Sequence, residues 1–76
     1  MKKPLQTIYV KLVDEGVNVW RPVRAEHLRD DLYLIVDQPY DRDSETWQFG
    51  PGSSVVCEPV ESADGPILRA IELRSD

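Results

Sequence analysis

The chain has 76 residues, of which 41% are hydrophobic and 30% are charged, and its net charge is −5. This length forms a single domain with a thin core. The acidic balance argues against general nucleic-acid binding, which needs clustered lysines and arginines. One cysteine and one histidine exclude a disulfide framework and a recognisable zinc pattern. No apolar run approaches the roughly 18 residues of a membrane span, and no signal peptide is recognisable, so we expect a cytoplasmic protein.

The first two predicted strands form a hairpin. Residues 8–13 (IYVKLV) alternate between two faces, as a half-buried strand does. Asp-Glu-Gly at 14–16 predicts a three-residue turn that ends in a left-handed glycine. Residues 17–23 (VNVWRPV) predict the second strand. Pro22 has no N–H, so we expect it at a sheet edge or a bulge.

The length of this turn decides which residues of the hairpin face each other. A three-residue turn pairs Val10 with Trp20 and Tyr9 with Arg21. We therefore expect Trp20 in the core beside Val10, because tryptophan is highly buried on average. The alternative is an exposed Trp20 that serves as a binding platform. Tyr9 and Arg21 are expected on the outer face, where a guanidinium is attracted to a tyrosine ring.

The rest of the chain is predicted to consist of short strands separated by turns. Further strands are predicted at 32–37, 46–50, 54–60 and 67–73. Turns are indicated by Arg-Asp-Asp before the third strand and by the Pro-Gly pair at 51–52. Residues 24–30 have a short helical turn as an alternative. Five or six antiparallel strands in so short a chain favour an all-β fold, a small, partly open SH3-like barrel that occupies residues 1–76.

Three segments together resemble a family of short bacterial proteins of uncharacterised function. The segments are LVDEGVNVWRPV (12–23), DDLYLI (30–35) and WQFGPGSSVVCE (47–58). The family is similar in its V-W-R-P-V and W-x-F-x-P-G motifs, and the likeness spans roughly residues 8–58. Two departures are the aspartates at 30–31, where the family has glycine, and the missing arginine before Cys57. The resemblance implies an SH3-like barrel and no particular activity.

The segment 37–45 (DQPYDRDSE) is rich in carboxylates and is predicted to be a loop. It lacks the central glycine and the final glutamate of an EF-hand, so we predict no metal site. Tyr40 is a candidate partner contact, because binding residues concentrate on loops and tyrosine is amphipathic. The alternative, which is the state expected of a loop tyrosine, is that Tyr40 packs back over the barrel.

The aromatic pair Trp47 and Phe49 lies two residues apart, on one face of a predicted strand. Such a pair is typical of a core. The alternative is a base-stacking platform for single-stranded nucleic acid, which needs lysine or arginine beside it. The neighbours are Asp43, Glu45 and Gln48, so we expect core residues.

Cys57 lies on a predicted strand, where a buried cysteine behaves as a small hydrophobe. A catalytic cysteine would need a base, and His27 is the only imidazole. The sequence contains no serine-hydrolase motif and no phosphate-binding glycine loop. We therefore predict no catalytic residue and no cofactor, and we keep a catalytic pairing of Cys57 with His27 only as a third possibility.

The sequence favours a non-enzymatic module that binds an unknown protein partner or a second copy of itself. We expect no membrane attachment. The candidate contact residues are Tyr9, Arg21 and Tyr40. The alternative is a nucleic-acid-associated regulator that uses a small basic patch of Lys11, Arg21 and Arg24. We expect nucleic-acid binding to be negligible at physiological salt.

Overall fold

A computed structural model describes residues 4–13, 19–40 and 45–74, and in them the protein is all-β, as predicted. Five strands follow one another: β1 (Gln6–Lys11), β2 (Trp20–Arg29), β3 (Leu32–Ile35), β4 (Ser54–Ser62) and β5 (Gly65–Leu73). Within these ranges no helix has the length and apolar character needed to cross a bilayer. The three-residue turn predicted at 14–16 lies outside the described residues.

The strands form a barrel in which each strand pairs antiparallel with the next one along the chain. An odd number of strands in this order makes the first and the last run in the same direction. β1 and β5 are accordingly parallel, and a single register pair, Tyr9 with Arg69, joins them. The prediction of a small, partly open barrel of five or six strands is confirmed.

Two predicted elements differ from the structure. Residues 24–29 continue β2 and form no helical turn. The pairing of β2 with β1 extends up to Ala25, and its pairing with β3 runs from Ala25 to Arg29. Residues 46–50 do not form a strand. This segment joins the end of β1 through one bridge, between Leu12 and Trp47, and through the bonds from Gln48 N–H to the Lys11 oxygen and from Val13 N–H to the Thr46 oxygen.

The turns predicted from the aspartates before β3 and from the Pro-Gly pair at 51–52 are present in the structure. Asp30 has φ 44°, a left-handed conformation that aspartate tolerates better than most residues, between β2 and β3. Gly52 has φ 89°, as the third residue of a turn that Ser53 N–H closes onto the Gly50 oxygen at 3.2 Å. Proline followed by glycine suits such a turn because only glycine adopts this φ without strain.

The register of the first hairpin differs by one residue from the prediction. Lys11 pairs with Trp20, Tyr9 with Pro22, and Val10 with Arg21. A one-residue shift moves every side chain of one strand to the other face relative to its partner. The predicted pairing of Tyr9 with Arg21 is therefore wrong. The prediction that Trp20 lies in the core is also wrong, since Trp20 is half-buried and lies outside the core cluster.

The core is built from the inward face of every strand and from the segment after β3. Its most enclosed large side chains, below 2% exposed, are Ile8, Val10, Ile35 and Val55. Trp47 belongs to this cluster and Phe49 packs against it, which confirms their prediction as core residues. Pro22 lies where β2 has no β3 partner, so its missing N–H breaks no ladder on that side.

Candidate functional site

An aromatic and charged surface lies on the outside of the barrel where β1 meets β5. We call it the seam surface, and it comprises Tyr9, Trp20, Glu58 and Arg69. Tyr9 alternates with the buried Ile8 and Val10, so its side chain is on the outer face. The register aligns Tyr9 with Arg69, and Arg69 with Glu58. Three consecutive strands of the barrel, β1, β5 and β4, therefore place these side chains in one row.

Arg69 connects the members of the seam surface. Its guanidinium lies 5.3 Å from the centre of the Trp20 ring, within the range of a cation–π contact. The same guanidinium donates to the carboxylate of Glu58 across the β4–β5 ladder. Its Nε atom is buried and has no hydrogen-bond partner in the described part of the chain. Arg69 is thus held between a ring and a carboxylate, with 36% of its side chain exposed.

An apolar groove adjoins the seam surface where β1 and β5 are not paired. Its volume is about 350 Å³, at the small end of the range for ligand pockets. All of its lining side chains are uncharged: Thr7, Tyr9, Pro59, Pro66, Ile67 and Leu68. Tyr9 belongs to both the groove and the seam surface. A ligand that fills the groove therefore also touches the aromatic row.

The other two predicted contact residues, Arg21 and Tyr40, lie around Trp47, and Arg21, which pairs with Val10, is on the opposite face of the ladder from Tyr9. Tyr40 stacks on Trp47 with ring centres 4.2 Å apart, and its hydroxyl accepts a bond from the Trp47 N–H at 2.7 Å. The Trp47 indole N–H donates to Glu45 at 2.7 Å, and Arg21 pairs with the same carboxylate at 3.4 Å. These contacts connect Tyr40, Glu45 and Trp47 to Arg21 of β2. Tyr40 packs back over the barrel, the alternative that the sequence left open.

The position of Arg21 also bears on the basic patch predicted from Lys11, Arg21 and Arg24. Arg21 is neutralised by Glu45, while Arg24 lies opposite Thr7 near the start of β1. The Arg24 N–H donates to the side-chain oxygen of Gln38 at 3.0 Å, and the Gln38 side-chain nitrogen donates to the Arg24 carbonyl oxygen at 2.9 Å. Phosphate binding would have to replace the ion pair of Arg21, so this arrangement favours a structural role for that residue.

Cys57 and His27 both contact the turn between β2 and β3, Cys57 through its backbone N–H to the Asp31 oxygen and His27 through its ring to Asp30. Cys57 is buried, and burial together with the Asp31 carboxylate raises the pKa of its thiol to about 12. His27 stacks on Tyr33 at 4.7 Å and donates from Nε2 to the Asp30 carbonyl oxygen at 2.6 Å. Burial, with Cys57 and Asp31 adding to it, also raises the pKa of Tyr33. A protonated thiol is a poor nucleophile, and Cys57 packs within the core cluster.

The sequence did not indicate Arg69, Glu58 or the groove as functional candidates. Their proximity to Tyr9 depends on the pairing of the first strand with the last, and no local pattern shows that pairing. The one signal available was Trp20, whose platform alternative matches its half-buried position on the outer face.

Comparison of the chain with models of known families, with curated proteins and with solved structures gave no match. The similarity of residues 8–58 to a family of short bacterial proteins therefore stays a prediction.

Proposed function

We propose that this protein is a non-enzymatic protein-interaction module, an SH3-like barrel that acts in the cytoplasm and binds its partner through the seam surface. The observation that carries the proposal is the contact of Trp20 with Arg69 beside Tyr9 and an apolar groove. Tryptophan, tyrosine and arginine are the residue types that dominate binding energies at protein interfaces. Half-buried rings also lose little conformational entropy when a partner covers them.

The chemistry of the remaining candidates supports binding over catalysis. The raised pKa of the Cys57 thiol removes the strongest nucleophile in the chain from reaction at neutral pH. The described residues contain no group of three or more histidine, cysteine or acidic side chains placed to hold a metal ion. These features favour recognition of a partner protein at the surface of the barrel.

The experiment is affinity capture from cytoplasmic extract with three versions of the immobilised protein. The first is the wild type and the second carries Tyr9→Ser and Trp20→Ser. The third is a matched control with Ile71→Ser and Leu73→Ser, which removes two exposed apolar side chains of β5, 42% and 61% exposed, outside the seam surface. Amide NMR spectra would verify that all three are folded.

We expect the wild type and the control to retain the same protein, and the Tyr9 and Trp20 variant to lose it. Equal capture by all three versions would contradict the use of the seam surface. Recovery of nucleic acid alone, released by salt, would support the nucleic-acid alternative instead.

A further inference from the structure

The groove beside the seam surface lies at a gap in the ladder between β1 and β5. Beyond the pair Tyr9 with Arg69, no other register pair joins β1 to β5 within the described ranges. The groove fills this gap, with Thr7 on the β1 side and Ile67 on the β5 side. A strand stretch without a ladder partner leaves backbone groups available to an added, extended chain.

The hydrogen bonds at the end of β1 show which backbone groups face the gap. The Lys11 oxygen and the Val13 N–H bond to the segment 46–48, whereas the Leu12 N–H bonds to Val19 on the opposite side. Backbone groups alternate in direction along a strand. Thr7 therefore directs its N–H and carbonyl to the same side as Lys11, away from β2 and into the gap.

Two carboxylates of the β4–β5 hairpin lie beside the groove. Glu61 pairs in register with Pro66, a lining residue of the groove, and Asp64 lies in the turn of the same hairpin. No lysine or arginine of residues 4–13, 19–40 and 45–74 forms an ion pair with either carboxylate. The nearest cation of the hairpin, Arg69, already binds Glu58. On the other side of the groove, Arg24 of β2 pairs in register with the lining residue Thr7, so the acidic charge is confined to the hairpin side.

We propose that an extended, lysine- or arginine-containing segment of a partner protein binds in this groove by strand addition to β1. Its backbone bonds to Thr7, its apolar side chains contact Ile67 and Pro66, and its basic side chains approach Glu61 and Asp64. The inference rests on the proposed function, because it names the partner chemistry of the surface that contains Tyr9. The charge complementarity of the hairpin selects a basic segment over an acidic one.

The test uses three end-blocked peptides of eight residues. The first alternates lysine with valine, the second replaces every lysine by glutamate, and the third is the lysine peptide with alternate backbone nitrogens methylated. Each is titrated into the ¹⁵N-labelled protein, and the dissociation constant is taken from the amide shifts. We expect the lysine peptide to shift Thr7, Tyr9 and Ile67. The methylated peptide should bind about tenfold more weakly, because it cannot form the strand ladder.

Two protein variants separate charge recognition from folding. The double change Glu61→Gln and Asp64→Asn should weaken the lysine peptide about fivefold, the effect expected from exposed ion pairs. Glu72→Gln is the matched control, since Glu72 is an exposed carboxylate near the other end of β5, and it should change binding less than about twofold.

Equal affinity for the lysine and glutamate peptides would overturn the inference, as would full affinity of the methylated peptide or shifts confined to other surfaces. A dimer in sedimentation velocity, with amide shifts at Thr7 and Ile67 that depend on protein concentration, would also overturn it, because the occupant would then be a second copy of the chain. The two proposals fail separately. Capture that depends on Tyr9 and Trp20 without peptide binding refutes only the strand addition, and capture that ignores them refutes the proposed function.

Discussion

Replacing Trp47 by alanine should destabilise this domain much more than replacing Trp20 by alanine. Both residues are tryptophans on predicted strands, so the sequence pattern does not separate them. The structure does, because Trp47 is 6% exposed within the core and Trp20 is half-buried on the outer face. The pair of substitutions is therefore a direct test of the hairpin register.

The expected losses follow from the contacts of each ring. Removal of a buried tryptophan side chain costs about 3–5 kcal/mol, and Trp47 also stacks on Tyr40 and donates to Glu45. For Trp20 the loss comprises a cation–π contact with Arg69, about 0.5–1 kcal/mol, and partial burial, which brings the total to about 1–2 kcal/mol. A domain of this length has a total stability of about 4–11 kcal/mol.

The assay is urea unfolding followed by far-UV circular dichroism, since tryptophan fluorescence is changed by the substitutions themselves. Trp47→Phe serves as a milder variant if Trp47→Ala is unfolded in buffer. It retains a ring against Tyr40 and loses the indole bond to Glu45, so we expect a loss of about 1–3 kcal/mol. A loss for Trp20→Ala equal to or larger than that for Trp47→Ala would refute the observed register and return Trp20 to the core.

Two further predictions concern a buried thiol and a turn. Because the pKa of Cys57 is raised to about 12, the folded chain keeps a proton that the unfolded chain releases above its usual pKa near 8.5. The free energy of unfolding of the wild type should therefore fall as the pH rises above about 9, and it should fall less steeply in Cys57→Ala. Rapid alkylation of the folded protein at about pH 8 would contradict the raised pKa. Gly52→Ala should lower the free energy of unfolding by about 1–2 kcal/mol, because φ is 89° at Gly52. Gly50→Ala should lower it less, because its new Cβ would make an ordinary contact, 3.6 Å from a Tyr40 ring atom. Thermal unfolding of the two variants compares them, and equal losses would argue against the left-handed turn.

The local features of the barrel were predictable from the residues that form them. Alternation identified the buried face of β1, the Pro-Gly pair identified the turn at Gly52, and the strand-forming residue types identified β3 and β4. Each of these depends on the conformational preference of a few consecutive residues or on a two-residue period. Such information is present in the sequence itself.

The contacts that make up the candidate site were decided only by the tertiary structure. The register of the first hairpin decides which face Trp20 occupies, because a shift of one residue moves its side chain to the other face. The contact of Trp20 with Arg69 requires closure of the sheet between β1 and β5, which are far apart in sequence. Pairing between distant strands depends on how the whole core packs, and no short segment of the chain carries that information.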